Sequence, residues 1–393
     1  MRKNVLLLSV CQAMMNTGIS LIIATAALVG YALAEDKSLA TLPLALQLFA
    51  GMCATIPASF LMDRIGRRAG FQIGAALGLC GAIISTFAIV NENFFWFCFG
   101  AVPLGLFRGF AVYYRLAAVD HVTPEFKPRA ISYVMAGGVV AAFLGPNLAT
   151  VSANWISGAT FAGSYLALSS VYIISILVLA GISMPRKDTR DDFHKGRKLK
   201  AIMRQPRFIV AAVGGMLGYS AMSLIMTATP LSMKNLALSF GDVAFVIQWH
   251  VFAMFAPSFF TGNLINRFGV LRIMVSGVVM NLLCVAVNIY DQSLINIWIA
   301  LFLLGVGWNF LFVGATTLLT ETYRLEERAK TQAANDFLVI TMVTLTVFAA
   351  GPLEFYLGWR TVNIFALPMV FTILAVIIWL NWHERNKTVP AEA

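Results

Sequence analysis

Charge is what this sequence has least of. Only 12% of its 393 residues are Asp, Glu, Lys or Arg, against about a quarter in an ordinary water-soluble domain. A soluble chain of this length could not cover its surface with so few. Hydrophobic residues make up 59% and the mean hydropathy is +0.80, so the solvent for most of the chain is lipid. Histidine is scarce too. His121 falls at an interface, His194 in a polar loop, His250 in an apolar run and His383 in the tail, with no ligand spacing among them, which excludes a histidine metal site. Neither paired carboxylates nor a Ser/His/Asp set offers an enzymatic constellation. The five cysteines, Cys11, Cys53, Cys80, Cys98 and Cys284, all sit inside apolar segments, at spacings that suit neither metal nor a disulfide framework, and are expected to be buried and unpaired. A glycine-rich phosphate loop joined to a soluble domain is missing, which excludes an ATP-driven pump, and no cofactor is expected. No cleavable leader is expected either: Arg2 and Lys3 precede an apolar run from Val5 to about Val29, too long for a signal-peptide core.

Long apolar runs are what the sequence has in abundance. A helix needs about 20 apolar residues to cross the hydrocarbon layer, and helices are required because backbone polar groups find no water there. Twelve such runs lie near 4–31, 38–62, 69–90, 94–118, 130–155, 159–183, 207–231, 242–265, 270–290, 294–320, 331–357 and 361–382. The long polar connection, Pro185 to Pro206, carries Arg186, Lys187, Arg190, Lys195, Arg197, Lys198, Lys200 and Arg204. It divides the chain into a six-helix bundle over 1–184, a central loop over 185–206 and a second six-helix bundle with a short tail over 207–393. Basic residues concentrate at the N-terminus, in the even-to-odd turns (Arg64, Arg67, Arg68; Lys127, Arg129; Arg267, Arg272; Arg324, Arg328, Lys330), in the central loop and in the tail (Arg385, Lys387). The opposite loops hold little more than Lys37, Lys234 and Arg360. This asymmetry predicts cytoplasmic termini and a cytoplasmic central loop. Headgroups and translocation bias explain the net charge of +10 without a nucleic-acid partner.

The halves echo one another. Ser59-Phe60-Leu61-Met62-Asp63-Arg64-Ile65-Gly66-Arg67-Arg68 follows the second run, and Gly262-Asn263-Leu264-Ile265-Asn266-Arg267-Phe268-Gly269 follows the eighth, 203 residues later. Lys127-Pro128-Arg129-Ala130 after the fourth run is matched by Glu327-Arg328-Ala329-Lys330 after the tenth. An offset near 200 residues signifies an internal duplication, an architecture used by secondary transporters that hold solute between the repeats.

With Leu61, Asp63, Arg64, Gly66, Arg67 and Arg68 in place and Ser59 where a glycine is usual, the first of these segments resembles the Gly-x-Leu-x-Asp-Arg-x-Gly-Arg-Lys/Arg signature of the major facilitator superfamily. The resemblance covers essentially the whole chain. It implies an all-α membrane protein of two pseudo-symmetric six-helix bundles, in which Asp63 to Arg68, echoed by Asn266, Arg267 and Gly269, helps to latch the cytoplasmic ends. In physical terms Gly66 permits a tight turn and Asp63 can pair with nearby arginines; the plainer alternative is that these charges solvate a loop. Gly137, Gly138, Gly145 and Pro146 in the fifth run resemble part of an antiporter motif whose trailing glycines are absent, and would let that helix bend or pack closely.

The resemblance further implies that the first, fourth, seventh and tenth helices line a central cavity. Gln12, Asn16 and Ser20 share one helix face at i, i+4, i+8, as do Tyr219, Ser223 and Thr227 with an offset of 207. Hydrogen bonding between helices is the alternative for each. Arg108 lies about 21 Å into a core of about 30 Å, where an uncompensated charge costs at least about 2.5–3.5 kcal/mol. Asp120 and Asp336 fall near one boundary and Glu354 near the other, so none neutralises it. Arg108 is therefore expected to face the cavity and to favour an anionic or strongly hydrogen-accepting solute, with a structural arginine as the alternative, and the solute as a whole is expected to be a small organic molecule, anionic or amphipathic; Arg115, two turns below, belongs to the interface. Trp308 and Asn309 are its counterparts in the tenth run. Gln248, Trp249 and His250 lie inside the eighth, where His250 is a candidate for proton coupling. The expectation is an alternating-access carrier in the cytoplasmic membrane of a bacterium, working as a monomer, with the solute, its direction and a coupling proton or other ion open. A proton-coupled exporter of neutral or hydrophobic drugs and a non-transporting sensor are the rival readings, the second of which would be expected to carry an added soluble signalling domain or long tail.

Overall fold

The computed structural model describes residues 2–119, 127–182 and 196–388, and every regular element among them is helical. The first half holds α1 (Arg2–Leu33), a 3-10 turn (Lys37–Leu39), α2 (Leu42–Ile65), α3 (Arg67–Val90), α4 (Phe94–Ala111), α5 (Tyr114–Val119), α6 (Lys127–Ser152) and α7 (Ala162–Ala180). After the short α8 (Leu199–Met203), the second half holds α9 (Pro206–Asn235), α10 (Phe240–Phe255), α11 (Ser258–Phe268), α12 (Val270–Tyr290), α13 (Leu294–Thr320) and α14 (Arg328–Thr388).

Nine helices among the described residues are long and apolar enough to cross a membrane. The pair α10 and α11, bent by 44°, supplies a tenth span, and the apolar part of α6 from Gly137 to Ser152 an eleventh. Helix α14 is two spans in one, because Gly358 at φ 75°, ψ 172° leaves the helical region and folds its limbs apart. Counted this way, the described residues hold twelve spans. Two of the expected spans are broken. Pro257, which has no backbone N–H to give, stands at the bend between α10 and α11, and a turn at Val112 and Tyr113 separates α4 from α5.

The duplication is visible in the backbone. Gly66, between α2 and α3, has φ 90°, ψ 151°, and Gly269, between α11 and α12, has φ 88°, ψ 149°. Only glycine adopts this conformation without strain. Close helix crossings also repeat: a Cβ on Gly81 would lie 2.8 Å from the Gly100 carbonyl oxygen, and one on Gly277 would lie 2.8 Å from that of Gly307. Small residues let apolar helices approach where lipid offers no hydrophobic drive.

Two cores result. One gathers Phe71, Tyr114, Tyr165 and Leu168 of the first half; the other gathers Phe208, Met222, Val246 and Leu304 of the second. Leu231, Val339, Val343 and Val347 cross into the first core, while Ala24 and Ala142 cross into the second, so α1, α6, α9 and the first limb of α14 form the seam. Large apolar side chains such as Leu177 and Phe60, 67% and 60% exposed, face outward, as a lipid-facing surface requires. All five cysteines are free; Cys11, Cys98 and Cys284 are buried, whereas Cys53 and Cys80, expected inside, are on the outside.

Candidate functional site

Arg108 stands where the two halves meet. Gly105 and Gly109, one turn apart on α4, lie so close to α2 that added Cβ atoms would come 2.2 Å from the Gln47 carbonyl oxygen and 2.5 Å from the Ala54 Cβ. That crossing places the Arg108 stem against Gly51 of α2. The guanidinium is half-buried and reaches across to the second half, donating to the Tyr219 hydroxyl at 3.5 Å. Among the described residues no carboxylate pairs with it, so most of its five N–H donors are uncommitted.

On the far side stands an aromatic wall. Trp308 and Phe312 of α13 are stacked, with centroids 4.9 Å apart and planes 12° from parallel. Tyr219 meets both edge-on, at 5.4 and 5.9 Å, and Phe255 of α10 approaches Trp308 at 6.4 Å. The Trp308 indole N–H is buried with no hydrogen-bond partner, an arrangement that costs about 1–3 kcal/mol unless something accepts from it. The sequence reading placed Arg108, Tyr219 and Trp308 at the site; Phe312 and Phe255 it missed, because apolar aromatics are unexceptional in apolar helices.

The two polar stripes share a gradient. Gln12 and Asn16 are half-buried, with the Gln12 amide donating to Asn16 at 3.4 Å, as is Tyr219. Farther from the termini, Ser20, Ser223 and Thr227 are only 2%, 2% and 4% exposed. Ser20 is packed by Gly145, whose Cβ position lies 2.6 Å from the Ser20 Cβ; Pro146 sits inside a continuous α6, so Gly145-Pro146 serves close packing. Every residue from Ala221 to Met233 is buried.

The side away from the termini is closed by contacts between halves. Lys234 Nζ lies 3.6 Å from the ring centroid of Tyr31, Phe161 meets Phe240 at 4.6 Å, and the Thr41 hydroxyl accepts from the Gly351 N–H at 3.1 Å. Along the other seam the Asn147 amide donates to Gln248 Oε1 at 2.7 Å. Gln248 was expected in the site; its partner Asn147 was not.

Asn309 and His250 are committed elsewhere. The Asn309 amide donates to the Met254 carbonyl at 2.7 Å and to Ser258 Oγ at 2.6 Å, while its oxygen accepts from Thr261 at 2.7 Å. It thus braces the bend between α10 and α11. His250 is fully buried, with Nδ1 2.7 Å from the Leu301 carbonyl oxygen and Nε2 without a partner.

On the terminal side, Arg67 lies within electrostatic range of Asp63 and Tyr113, and Tyr113 within range of Asp336 from α14. Arg267 lies over the Phe268 ring at 5.2 Å; Arg64, Arg68 and Asn266 are exposed. Asp120 and the central loop from 183 to 195 lie outside the described residues, as does the side chain of Arg115. The end of that loop is stapled to the second half. Glu327, wholly buried, accepts from Arg197 Nε and Nη2 at 2.9 and 2.7 Å and from the backbone N–H groups of Arg197 and Arg324 at 2.7 and 3.0 Å. These bonds hold its carboxyl well below the usual range, the Arg197 guanidinium contributing most.

Comparison with known proteins identifies the family and the fold. The sequence model of the Major Facilitator Superfamily matches residues 6–227 and again 211–393. The riboflavin transporter RfnT of Brucella anthropi is 38% identical over 394 residues, covering 100% of this chain and 98% of its own. YdeG of Bacillus subtilis, an uncharacterized transporter of the same superfamily, is 25% identical over 96% of this chain and 92% of its own. The crystal structure of a D-xylose–proton symporter superposes with a TM-score of 0.74 over 95% of this chain and 96% of its own, at 13% identity, a likeness of fold.

Proposed function

The chain belongs to the major facilitator superfamily, a membrane-embedded transporter and not an enzyme, and from that premise we propose that it carries a flavin-like solute, a planar heteroaromatic ring bearing a polyol, by alternating access. The observation that supports this most is the pairing of the stacked Trp308–Phe312 wall with the free donors of Arg108 and the unpartnered Trp308 N–H. A fused, electron-poor ring system stacks on indole and phenyl faces. Its carbonyl oxygens accept from a guanidinium, whose planar fork suits paired acceptors. Half-buried Gln12 and Asn16 on α1 would serve the hydroxyls of the side chain. The 38% identity to a riboflavin transporter along the full length favours the same solute class here. Arg108 then acts as a strong donor to an amphipathic, uncharged molecule, and the organic-anion reading becomes the alternative.

The cycle follows from the gradient along the stripes. The side bearing Tyr31, Lys234 and Thr41 is sealed, while the site's half-buried members lie nearer the termini; with the termini in the bacterial cytoplasm, as the distribution of basic residues favours, this conformation is inward-facing. Opening outward would part Tyr31 from Lys234 and tighten the approach of Tyr113 to Asp336 that is already within electrostatic range. Each chain contains its own pair of halves, so a monomer suffices for the cycle.

Quenching of flavin fluorescence on titration with purified protein tests the assignment. Riboflavin and its bare ring system should bind, free ribitol should not, and Trp308→Ala should abolish the quench. If simple carboxylates or phosphates displace a bound probe while flavins do not, the solute is an anion and the flavin reading falls.

A further inference from the structure

A second cavity, of about 330 Å³, opens on the side away from the termini, entirely within the second half. It is lined by Ser232, Asn235 and Leu236 at the end of α9, Gln292 before α13, and Glu354 with Leu357 to Arg360 around the break in α14. Glu354 is 5% exposed. Its Oε1 accepts a long hydrogen bond of 3.4 Å from the Asn235 amide, and its Oε2 is buried with no partner at all. A buried carboxylate with a free oxygen is unstable unless a proton or another positive charge neutralises it.

The positive groups nearby are turned elsewhere. Arg360, on the cavity's rim, donates its guanidinium to the Ile289 carbonyl at 3.2 Å. Lys234 is engaged with the Tyr31 ring, and Lys37 donates to the Ala34 carbonyl at 2.7 Å. Asp291, beside Gln292, is exposed and accepts from Asn296. Two helix C-termini converge on the cavity, that of α9 at Asn235 and that of the first limb of α14 at Leu357. Each brings the negative end of a helix dipole, which favours a cation. Ser232 and Gln292 add neutral oxygens, the hard ligands that alkali cations take.

We propose that this cavity is a monovalent-cation site, with Glu354 supplying the charge and Asn235, Ser232 and Gln292 supplying neutral oxygens. The site adjoins the seal between the halves. Asn235 bonds Glu354, and its neighbour Lys234 is pinned to Tyr31 of the first half, so a cation at Glu354 acts on the same last turn of α9 that holds the seal shut. The proposal does not depend on which solute the carrier moves.

Thermal unfolding of the full-length protein in sodium, lithium and choline chloride at matched ionic strength and fixed pH tests it. Sodium or lithium should raise the midpoint saturably over choline, and Glu354→Gln should remove that rise while leaving flavin binding at the central site within about twofold. Should Glu354→Gln fail to fold, Gln292→Ala at the rim keeps the test alive, with a several-fold rise in the sodium concentration needed for half the effect. Identical midpoints in all three salts would overturn the proposal. So would a midpoint that, when the series is repeated at several pH values, responds to pH through Glu354 but not to the cation, since Glu354 would then be a protonated carboxyl.

Discussion

Replacing Arg108 by alanine separates a binding arginine from a structural one. The guanidinium makes one bond to the protein among the described residues, and at 3.5 Å to Tyr219 that bond is at the outer limit of hydrogen-bonding distance. The stem rests on Gly51, where no side chain can interlock with it. Truncation therefore costs the fold little. For a bound solute the loss is different in kind: a hydrogen bond to a charged donor contributes about 1.5–3 kcal/mol, and about 1.4 kcal/mol is a factor of ten. The dissociation constant of a flavin should rise about 10- to 150-fold in Arg108→Ala, read by fluorescence quenching, with the unfolding midpoint nearly unchanged. Tyr219→Phe, which removes only the weak protein bond, should alter affinity about threefold or less. The opposite pattern would refute the reasoning: unaltered flavin affinity in Arg108→Ala together with a large fall in thermal stability would make Arg108 a strut between the halves.

Alanine at Gly66 or at Gly269 has nothing within 4 Å to strike, so only the backbone conformation opposes it; each should destabilise by about 1–3 kcal/mol, and a neutral Gly66→Ala in thermal unfolding would contradict the shared geometry. Asn147→Ala and Gln248→Ala should be non-additive in a double-mutant cycle by about 0.6 kcal/mol, typical of bonds between membrane helices; strict additivity would show that the seam bond contributes nothing. Glu327 carries a pH dependence. Its carboxyl is depressed from an ordinary value of 4.5, so its stabilisation is complete above that value and is lost as pH falls below it towards the folded-state pKa. An acid titration of unfolding should show this limb in the parent and a flatter one in Glu327→Gln; coincident curves would rule out the Arg197 staple as its source.

Much of the architecture was legible in the residues. A shortage of charge identifies lipid as the solvent, since no arrangement of so few charges can solvate 393 residues. Apolar run length counts the spans, and the 203-residue echo from Gly66 to Gly269 announces the duplication that the backbone repeats at φ 90° and 88°. Depth alone singled out Arg108, because a charge so far into the core needs a reason to be there. The site was less legible. Helical periodicity shows that Gln12, Asn16 and Ser20 share a face but not how far the other half covers it, and packing against Gly145 buries Ser20 while the lower two remain half open. Asn309 and Trp308 are neighbours in sequence, yet one braces the bend in the eighth span and the other walls the site. His250 is an isolated imidazole in the sequence, and only the fold brings the Leu301 carbonyl to it. The sequence by itself determined the solvent, the number of spans, the repeat and the depth of each polar group, because these depend on composition and local period. Tertiary structure decided which polar groups meet, as Arg108 and Tyr219 do across 111 residues, because the rotation of one half over the other depends on the sum of all helix crossings and is written in no local segment.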